Sequence, residues 1–432
     1  MNRDMTTTAP QSAATQSRSK FISLSQLLLG RTKLYWGLFG LVLFGALASP
    51  LSSKGNNIFL SLGNLTDVLR QVSVTGIIAI GMTMVIFIAG IDLSVGSIMA
   101  IGTVICAMLL TQEGWTAASL FGVPATGAMI WLVISASLIF LINNVFKGHT
   151  EQKQKSTRSN WLSLLSGLVI ALATMFWLSG QVDQKFGVLA VLVVVPCIGA
   201  VLGSISGSLI VYGRLQPFIV TLAMMIGALG LARVVAGQDT AVYPVYTGTN
   251  ATVDFEILRT LLWDVIPVPG VFFVGILLIF VIVTRFTIFG SYLLAIGGNE
   301  EAARLAGINV TRNKIVTYAI SGGLSALAGV LYVAQFRQGK PDAGVGLELD
   351  AIAAVSIGGT SLMGGRGSLM GTFVGVLIFG FLSNILQLNN IDSNTQLILK
   401  GMIIVVAVLI QEGRMGEFFS ALKHRAMPKR EL

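Results

Sequence analysis

Residues 71–111 read QVSVTGIIAIGMTMVIFIAGIDLSVGSIMAIGTVICAMLLT, with Asp92 as the one charged side chain. Two apolar runs, at about 72–90 and 95–111, have the length of about 17 to 25 residues that carries a helix across roughly 30 Å of hydrocarbon. Between them, Gly90-Ile91-Asp92-Leu93-Ser94-Val95-Gly96-Ser97 puts glycine and hydroxyls where a lipid-facing helix would be aliphatic throughout. Unwound backbone at membrane depth persists only when it is buried in protein or lines a wet cavity. The stretch therefore predicts two membrane spans joined by a break that belongs to a pathway.

The same reading extends outward to further apolar spans at about 34–50, 123–146, 161–179, 187–212, 216–236, 268–285, 315–336, 350–364 (short), 367–388 and 395–411. With the first two they make about twelve, an all-α, polytopic transmembrane helical bundle. Composition agrees: of 432 residues 54% are apolar and only 11% charged, against about a quarter charged in soluble domains. A soluble globular domain and a disordered chain are both excluded. The two cysteines, Cys106 and Cys197, lie in apolar runs and read as small core residues rather than a disulfide framework.

Residues 1–33 form a polar tail carrying Arg3, Arg18, Lys20, Arg31 and Lys33, without the cleavage pattern of a signal peptide. Threading the spans alternately from a cytoplasmic N-terminus places the tail, 147–160, 213–215, 286–314, Arg366 and the tail 412–432 on one side. With Arg285 at its edge, that side holds 20 of the 28 Lys and Arg residues, as the positive-inside rule requires, so both termini are expected in the cytoplasm. Orientation accounts for the net charge of +9, and without an aromatic-interleaved basic patch a nucleic-acid partner is not expected. On the other side the loop 237–267 carries Asp239, Asp254, Glu256, Asp264, prolines and tyrosines, as a docking or capping surface would. The inner loop 286–314 contains EEAARLAG, rich in helix formers, and is expected to hold a short cytoplasmic helix.

A second break, Gly358-Gly359-Thr360-Ser361-Leu362-Met363-Gly364-Gly365-Arg366-Gly367, echoes the first: Gly96-Ser97-Ile98-Met99 is matched by Gly367-Ser368-Leu369-Met370. Interrupted helices at matching positions mark transport sites, although four residues are as compatible with chance as with an internal repeat. The candidate pathway or gate residues are Asp92, Ser94, Ser97, Gly358, Gly359, Thr360, Ser361 and Gly365. A valine at Gly359 or Gly365 is expected to abolish uptake by blocking close backbone approach. Asp92 reads either as a cap or gate residue, with Ser94 as a second cap, or as a plain interfacial turn. Arg70, Arg233 and Lys400, near span ends, read as snorkelling side chains or as substrate contacts. Glu348 and Asp350 read as caps of the short span or as groups facing an outer partner.

Chemistry of other kinds is poorly supplied. The two histidines, His149 and His424, lie in basic segments away from the spans. No HExxH, CxxC or Gly-x-Ser-x-Gly pattern occurs, so neither a metal site nor an enzyme is expected. The phosphate-cradling loop is absent too: Gly339-Lys340 is followed by Pro341 in place of Ser or Thr. A proton-coupled carrier would need a relay of buried Asp, Glu or His, which the spans do not offer.

Four motifs, GIDLSVGS at 90–97, GRLQPFIVTLAMM at 213–225, AIGGNEEAARLAGINV at 295–310 and ELDAIAAVSIGGTSLMGGRGS at 348–368, resemble those of the permease subunits of bacterial ribose-type sugar ABC importers. The likeness covers about 57–411 apart from one interruption. It implies a multi-pass protein of the bacterial inner membrane, paired with a second permease copy, an ABC ATPase subunit that uses ATP and Mg, and a periplasmic sugar-binding protein. This chain itself is then expected to bind no cofactor, and its contacts otherwise are with membrane lipids. The resemblance assigns Asn299, Glu300, Glu301, Ala302, Ala303, Arg304 and Gly307 to a coupling helix on the ATPase, and the two broken segments to the translocation pathway of a monosaccharide, ribose or a related pentose or hexose. The chain departs from the family at about 115–185, where a hairpin of two spans is inserted into a ten-span core, either as a lipid-facing pair or as a docking site. Other readings stay open: a related ligand such as a polyol, a furanone signal or a branched-chain amino acid, an ion-coupled secondary carrier, or a membrane scaffold or sensor.

Overall fold

The computed structural model describes residues 34–51, 55–111, 187–237 and 242–411. Both tails and the inserted hairpin at about 115–185 lie outside the described residues. The described chain forms α1 (Leu34–Ala48), α2 (Leu62–Phe87), α3 (Val95–Thr111), α4 (Val188–Tyr212), α5 (Pro217–Ala236), α6 (Val268–Phe286), α7 (Ile288–Gly298), α8 (Glu300–Leu305), α9 (Val310–Phe336), α10 (Leu347–Ile357), α11 (Leu369–Leu388) and α12 (Ser393–Gln411). Six of these, α2, α4, α5, α6, α9 and α11, are long and apolar enough to cross a membrane.

Local chemistry explains where the helices depart from the apolar runs. α2 starts ten residues before the expected span because Ser61 caps it, accepting the Asn64 amide at 3.3 Å. Its first turns carry Asn64, Thr66, Asp67 and Arg70, and so carry no apolar signal. α9 likewise begins at the cap Asn309, which accepts the Arg312 amide at 3.0 Å, ahead of the polar turn with Arg312 and Lys314. In place of the expected short span at 350–364 stands the eleven-residue α10, which begins earlier and ends at Ile357, about 16 Å long at 1.5 Å per residue. That is half of a membrane crossing, and Gly358–Gly367 beyond it is turn rather than helix.

α9 is the hub of the bundle, packed against α2, α3 and α4. Small side chains permit this. On α4, Gly199 and Gly203 lie one turn apart against the carbonyls of Gly322 and Tyr318, and a Cβ at either would fall inside van der Waals contact. In lipid, where burial between helices gains no hydrophobic energy, such close approach and interhelical hydrogen bonds hold spans together. The hydroxyls of Thr83 on α2 and Thr372 on α11 meet at 2.8 Å. α2 and α9 are mostly buried, whereas α4, α5 and α6 turn Leu189, Val193, Ile226, Val234, Leu278 and Ile282 outward. An apolar exterior of this extent is the surface of a protein solvated by acyl chains.

The connections gather at two ends. At one, α2's C-terminus, the start of α5, the α7–α8 corner and Gly358–Gly367 meet. Gly365 donates its amide to Phe87 at 3.0 Å, and the Thr221 hydroxyl donates to the Ile91 carbonyl at 3.0 Å. At the other, Asn64 and Asn384 exchange amide hydrogen bonds at 3.0 and 2.8 Å, and the short strands β1 (Tyr243–Pro244) and β4 (Gln338–Gly339) pair antiparallel. There the loop after α5 folds into a 3-10 turn (Val253–Arg259) and a hairpin of β2 (Leu261–Leu262) and β3 (Ile266–Pro267). Glu256 fastens it, accepting from Thr247 and pairing with Arg259 at 3.6 Å and Arg337 at 3.4 Å.

Candidate functional site

The first break is a staple built around one buried carboxylate. Asp92, 0% exposed, accepts the Ser94 amide at 3.1 Å and the Ser94 hydroxyl at 2.6 Å through Oδ1, and the Ser321 hydroxyl at 2.8 Å through Oδ2. Three donors are what a carboxylate without solvent requires, since an unsatisfied buried charge is strongly unfavourable. The Ser94 carbonyl receives the Ile98 amide at 2.9 Å, so the same serine opens α3. Asp92 thus fixes the turn between α2 and α3 and ties it to the middle of α9. Ser97 is buried on the first turns of α3, where the neighbouring Gly96 lies against the Gly344 carbonyl and the Glu348 carboxylate.

The second break is a compact turn. Ser361 donates its amide to the Arg366 carbonyl and Gly364 to the Ser361 carbonyl, both at 3.0 Å. Thr360 is fully buried, and its hydroxyl accepts the Ser368 amide at 3.4 Å where α11 begins. Gly358 rests against Gly371 of α11. Gly365, at φ +70°, would place a Cβ 2.8 Å from the Gly298 backbone, and Gly364 would meet Ala89 equally closely. Segments 87–89, 297–298 and 364–365 therefore meet backbone to backbone, a contact that side chains would force apart. At Gly359 the space is open, nothing lying within 4 Å of a Cβ. The constraint there is φ +81° alone, not the close approach expected of it.

The candidates thus fall into two groups. Ser94 joins Asp92 and Ser321, while Gly365 joins Phe87 and Gly298; the hydrogen-bond partners of the Asp92 carboxylate include none from Gly358–Gly367. What they present is mostly uncharged, hydroxyls and peptide groups, with one carboxylate satisfied by three donors and the exposed Arg366 at the end of the second break. Such a set can exchange hydrogen bonds with a polyol. Among the described residues no group of three His, Cys, Asp or Glu is placed to hold a metal.

Residues 299–307 form a surface helix at the same end. Asn299 caps α8 by accepting the Ala302 amide at 2.9 Å, and Gly307, at φ +84°, turns the chain out of it. Ala303 is buried, while Glu301, Ala302, Arg304 and Leu305 are exposed. Glu300 pairs with Arg304 at 3.2 Å and with Lys314 of α9 at 2.6 Å, and its position at the helix N-terminus also suits the helix dipole. α8 is therefore clamped to the hub by Lys314, while α7, directly before it, ends against Phe87 of α2 and Gly365 of the second break.

Three partners were invisible in the sequence. Ser321 and Lys314 carry no local signal of contact with Asp92 and Glu300. Lys400, read as snorkelling or substrate-contacting, instead reaches Asp350 at 3.0 Å and lies 5.0 Å from the Phe379 ring centre. A charge within a span was the available signal; the partner fifty residues away was not.

The family model described as "Branched-chain amino acid transport system / permease component" matches residues 158–408, more than half of the chain. The Ribose import permease protein RbsC of Haemophilus influenzae is 38% identical over 352 residues, 81% of this chain and 85% of the relative. Its Escherichia coli counterpart is 35% identical over 378 residues, 86% and 92% of the two chains. The Xylose transport system permease protein XylH of Haemophilus influenzae is 31% identical over 378 residues, 86% and 94%. No solved structure matches the chain. The chain belongs to this family of transport-system permease components, on its ribose-type branch.

Proposed function

We propose that this protein is the membrane-spanning permease subunit of an ABC importer that carries a monosaccharide, ribose or a related pentose, into the cytoplasm. The observation that carries the reading is the 38% identity with a ribose import permease across 85% of that relative. The 31% identity with a xylose transport permease supports a pentose among the monosaccharides. The hydroxyls and peptide groups of the breaks are consistent with a sugar. Asp92 is the only fully buried carboxylate among the described residues and is already satisfied by three donors, which gives no support to a proton-relay carrier.

ATP is hydrolysed, with Mg, by a separate ATPase subunit that seats on α8 through Glu301, Arg304 and their neighbours. The end bearing Arg214, Arg304, Arg312, Lys314 and Arg366 faces the cytoplasm of a bacterial inner membrane, with both tails beside it. Two permease copies form the importer, and the fastened loop 242–267 receives a periplasmic sugar-binding protein. Affinity purification of the tagged chain from its own host, in mild detergent with mass spectrometry, tests this assembly. An ATPase recovered with wild type but lost on combining Glu301→Lys with Arg304→Glu supports it; a chain that purifies alone, even after crosslinking in intact cells, overturns it.

A further inference from the structure

Lys314, Tyr318 and Ser321 lie along one stripe of α9, four and three residues apart, the spacing of neighbours on a helix face. All three are withdrawn from solvent: the Lys314 side chain is 15% exposed, Tyr318 1% and Ser321 0%. Lys314 holds Glu300 of α8 at 2.6 Å, and Ser321 donates to Asp92 Oδ2 at 2.8 Å. Tyr318 stands between them, and its hydroxyl reaches the first break, where a Cβ at Gly90 would lie 2.5 Å from it. Yet that hydroxyl is buried and has no hydrogen-bond partner among the described residues.

We propose that Tyr318 is a positioning residue of the transport cycle: it replaces Ser321 as the donor to Asp92 when α8 moves, and Lys314 is the joint through which that movement arrives. The inference rests on the importer reading above and says how the surface helix acts on the first break.

Three observations carry it. First, a buried hydroxyl without an acceptor is unfavourable, and a native structure keeps few of them. Asp92, two residues beyond Gly90, is the fully buried carboxylate of this region. Second, the exchange conserves hydrogen bonds. Asp92 keeps both Ser94 donors on Oδ1 and receives Tyr318 on Oδ2. The released Ser321 hydroxyl turns to the carbonyl four residues back, as Thr317 does with Asn313 at 2.7 Å and Ser325 with Ser321 at 2.8 Å. Third, the displacement is small. Three residues along a helix rise about 4.5 Å, close to the one-turn slips by which packed elements pass between two arrangements.

The same stripe gives the movement its entry. α8 has six residues, too few to hold a direction alone, so it follows its fixed contacts, Lys314 and the buried Ala303. Lys314 lies two turns from Ser321 on the same face. On another face, Gly199 and Gly203 of α4 close against the α9 backbone. A pull on α8 therefore slides α9, with α4, past the first break, and Asp92 is the group that senses which turn of α9 stands opposite.

The test uses proteoliposomes holding the complete importer, that is, the permease with its ATPase and its binding protein, with radiolabelled ribose as the probe. Tyr318→Phe removes only the unpartnered hydroxyl. The purified variant should melt in detergent at or above the wild-type temperature, because an unsatisfied buried group is gone. Its initial uptake should nevertheless fall about tenfold, the least that a hydrogen bond to a charged acceptor contributes. A purely structural role would move melting and uptake together. Uptake unchanged by Tyr318→Phe overturns the exchange, and so does a lowered melting temperature, which would show the hydroxyl already bonded. Lys314→Met should lower the ribose moved per ATP hydrolysed about fivefold, the low end of coupling between sites, and Lys314→Arg should restore it. An unchanged ratio in Lys314→Met overturns the joint; Tyr318→Phe decides the exchange whether or not Lys314→Met folds. Wild-type vesicles that take up no ribose overturn the importer reading and this inference with it, whereas a transporting wild type beside an unaffected Tyr318→Phe overturns the inference alone.

Discussion

Gly359 and Gly365 both have positive φ, +81° and +70°, yet only Gly365 sits against backbone. This separates two costs that an alanine scan would merge. An L-residue held in the left-handed region loses about 1–2 kcal/mol, and asparagine, which visits that region readily, loses much less. At Gly359, where nothing lies within 4 Å of a Cβ, Gly359→Ala should therefore cost about 1–2 kcal/mol and Gly359→Asn well under about 1 kcal/mol. At Gly365 a Cβ falls 2.8 Å from the Gly298 Cα and N. Neighbouring backbone cannot move aside as a flexible side chain does, and overpacking adds about 1–3 kcal/mol to the conformational cost. Asparagine relieves the φ penalty and leaves the collision, so Gly365→Asn should remain destabilised by about 1–3 kcal/mol. The readouts are thermal melting of the purified protein in detergent and sugar uptake by the assembled importer. Both should order the variants Gly359→Asn, Gly359→Ala, Gly365→Asn, Gly365→Ala from mildest to most severe. Gly365→Asn matching Gly359→Asn in both readouts would refute the backbone contact between 297–298 and 364–365.

The staple at the first break makes a similar contrast. Asp92→Ala leaves two hydroxyls and one amide buried without an acceptor and should cost about 3–5 kcal/mol, whereas Asp92→Asn keeps the Oδ1 acceptor and offers the Ser321 hydroxyl an amide, for about 1 kcal/mol or less; equal melting temperatures for the two would contradict the geometry. Gly203→Val should separate α4 from α9 and remove folded protein from the membrane fraction. Gly227→Ala on the lipid-facing side of α5, with nothing within 4 Å, should instead stabilise by about 0.5–1 kcal/mol. Asp392 caps α12, accepting the Thr395 hydroxyl at 2.6 Å and amide at 2.9 Å, and these bonds hold its carboxyl below the usual range. The cap is complete above the ordinary aspartate value of about 3.9 and is lost as pH falls through the lowered one. Amide exchange at Thr395 should accelerate over that window, and Asp392→Ala should abolish the dependence.

How far the sequence reaches is set by the range of the interactions. α3 is predominantly apolar and uncharged and lies where its residues place it, at Val95–Thr111, because length and hydropathy are local properties. The beginnings of α2 and α9 are hidden by polar turns, which only a cap side chain marks. The turn between α2 and α3 is legible in GIDLSVGS, since Asp92 and Ser94 satisfy one another over two residues. Ser321 is not, since its contact with Asp92 spans 229 positions. The half-length of α10 was hidden by the apolar residues around Gly358–Gly365, which belong to a turn packed against Phe87. Asp350 and Lys400 each stand out as charges in apolar surroundings, and only the packing of α10 beside α12 makes them a pair.

The claim that this chain serves ATP-driven monosaccharide import is tested most directly by radiolabelled ribose uptake in cells whose proton and sodium gradients are dissipated by ionophores while ATP is maintained. The account predicts that uptake persists, depends on this chain, and falls when Glu301→Lys and Arg304→Glu are combined on α8. Uptake that collapses with the gradients while ATP stays high would contradict it and identify an ion-coupled carrier.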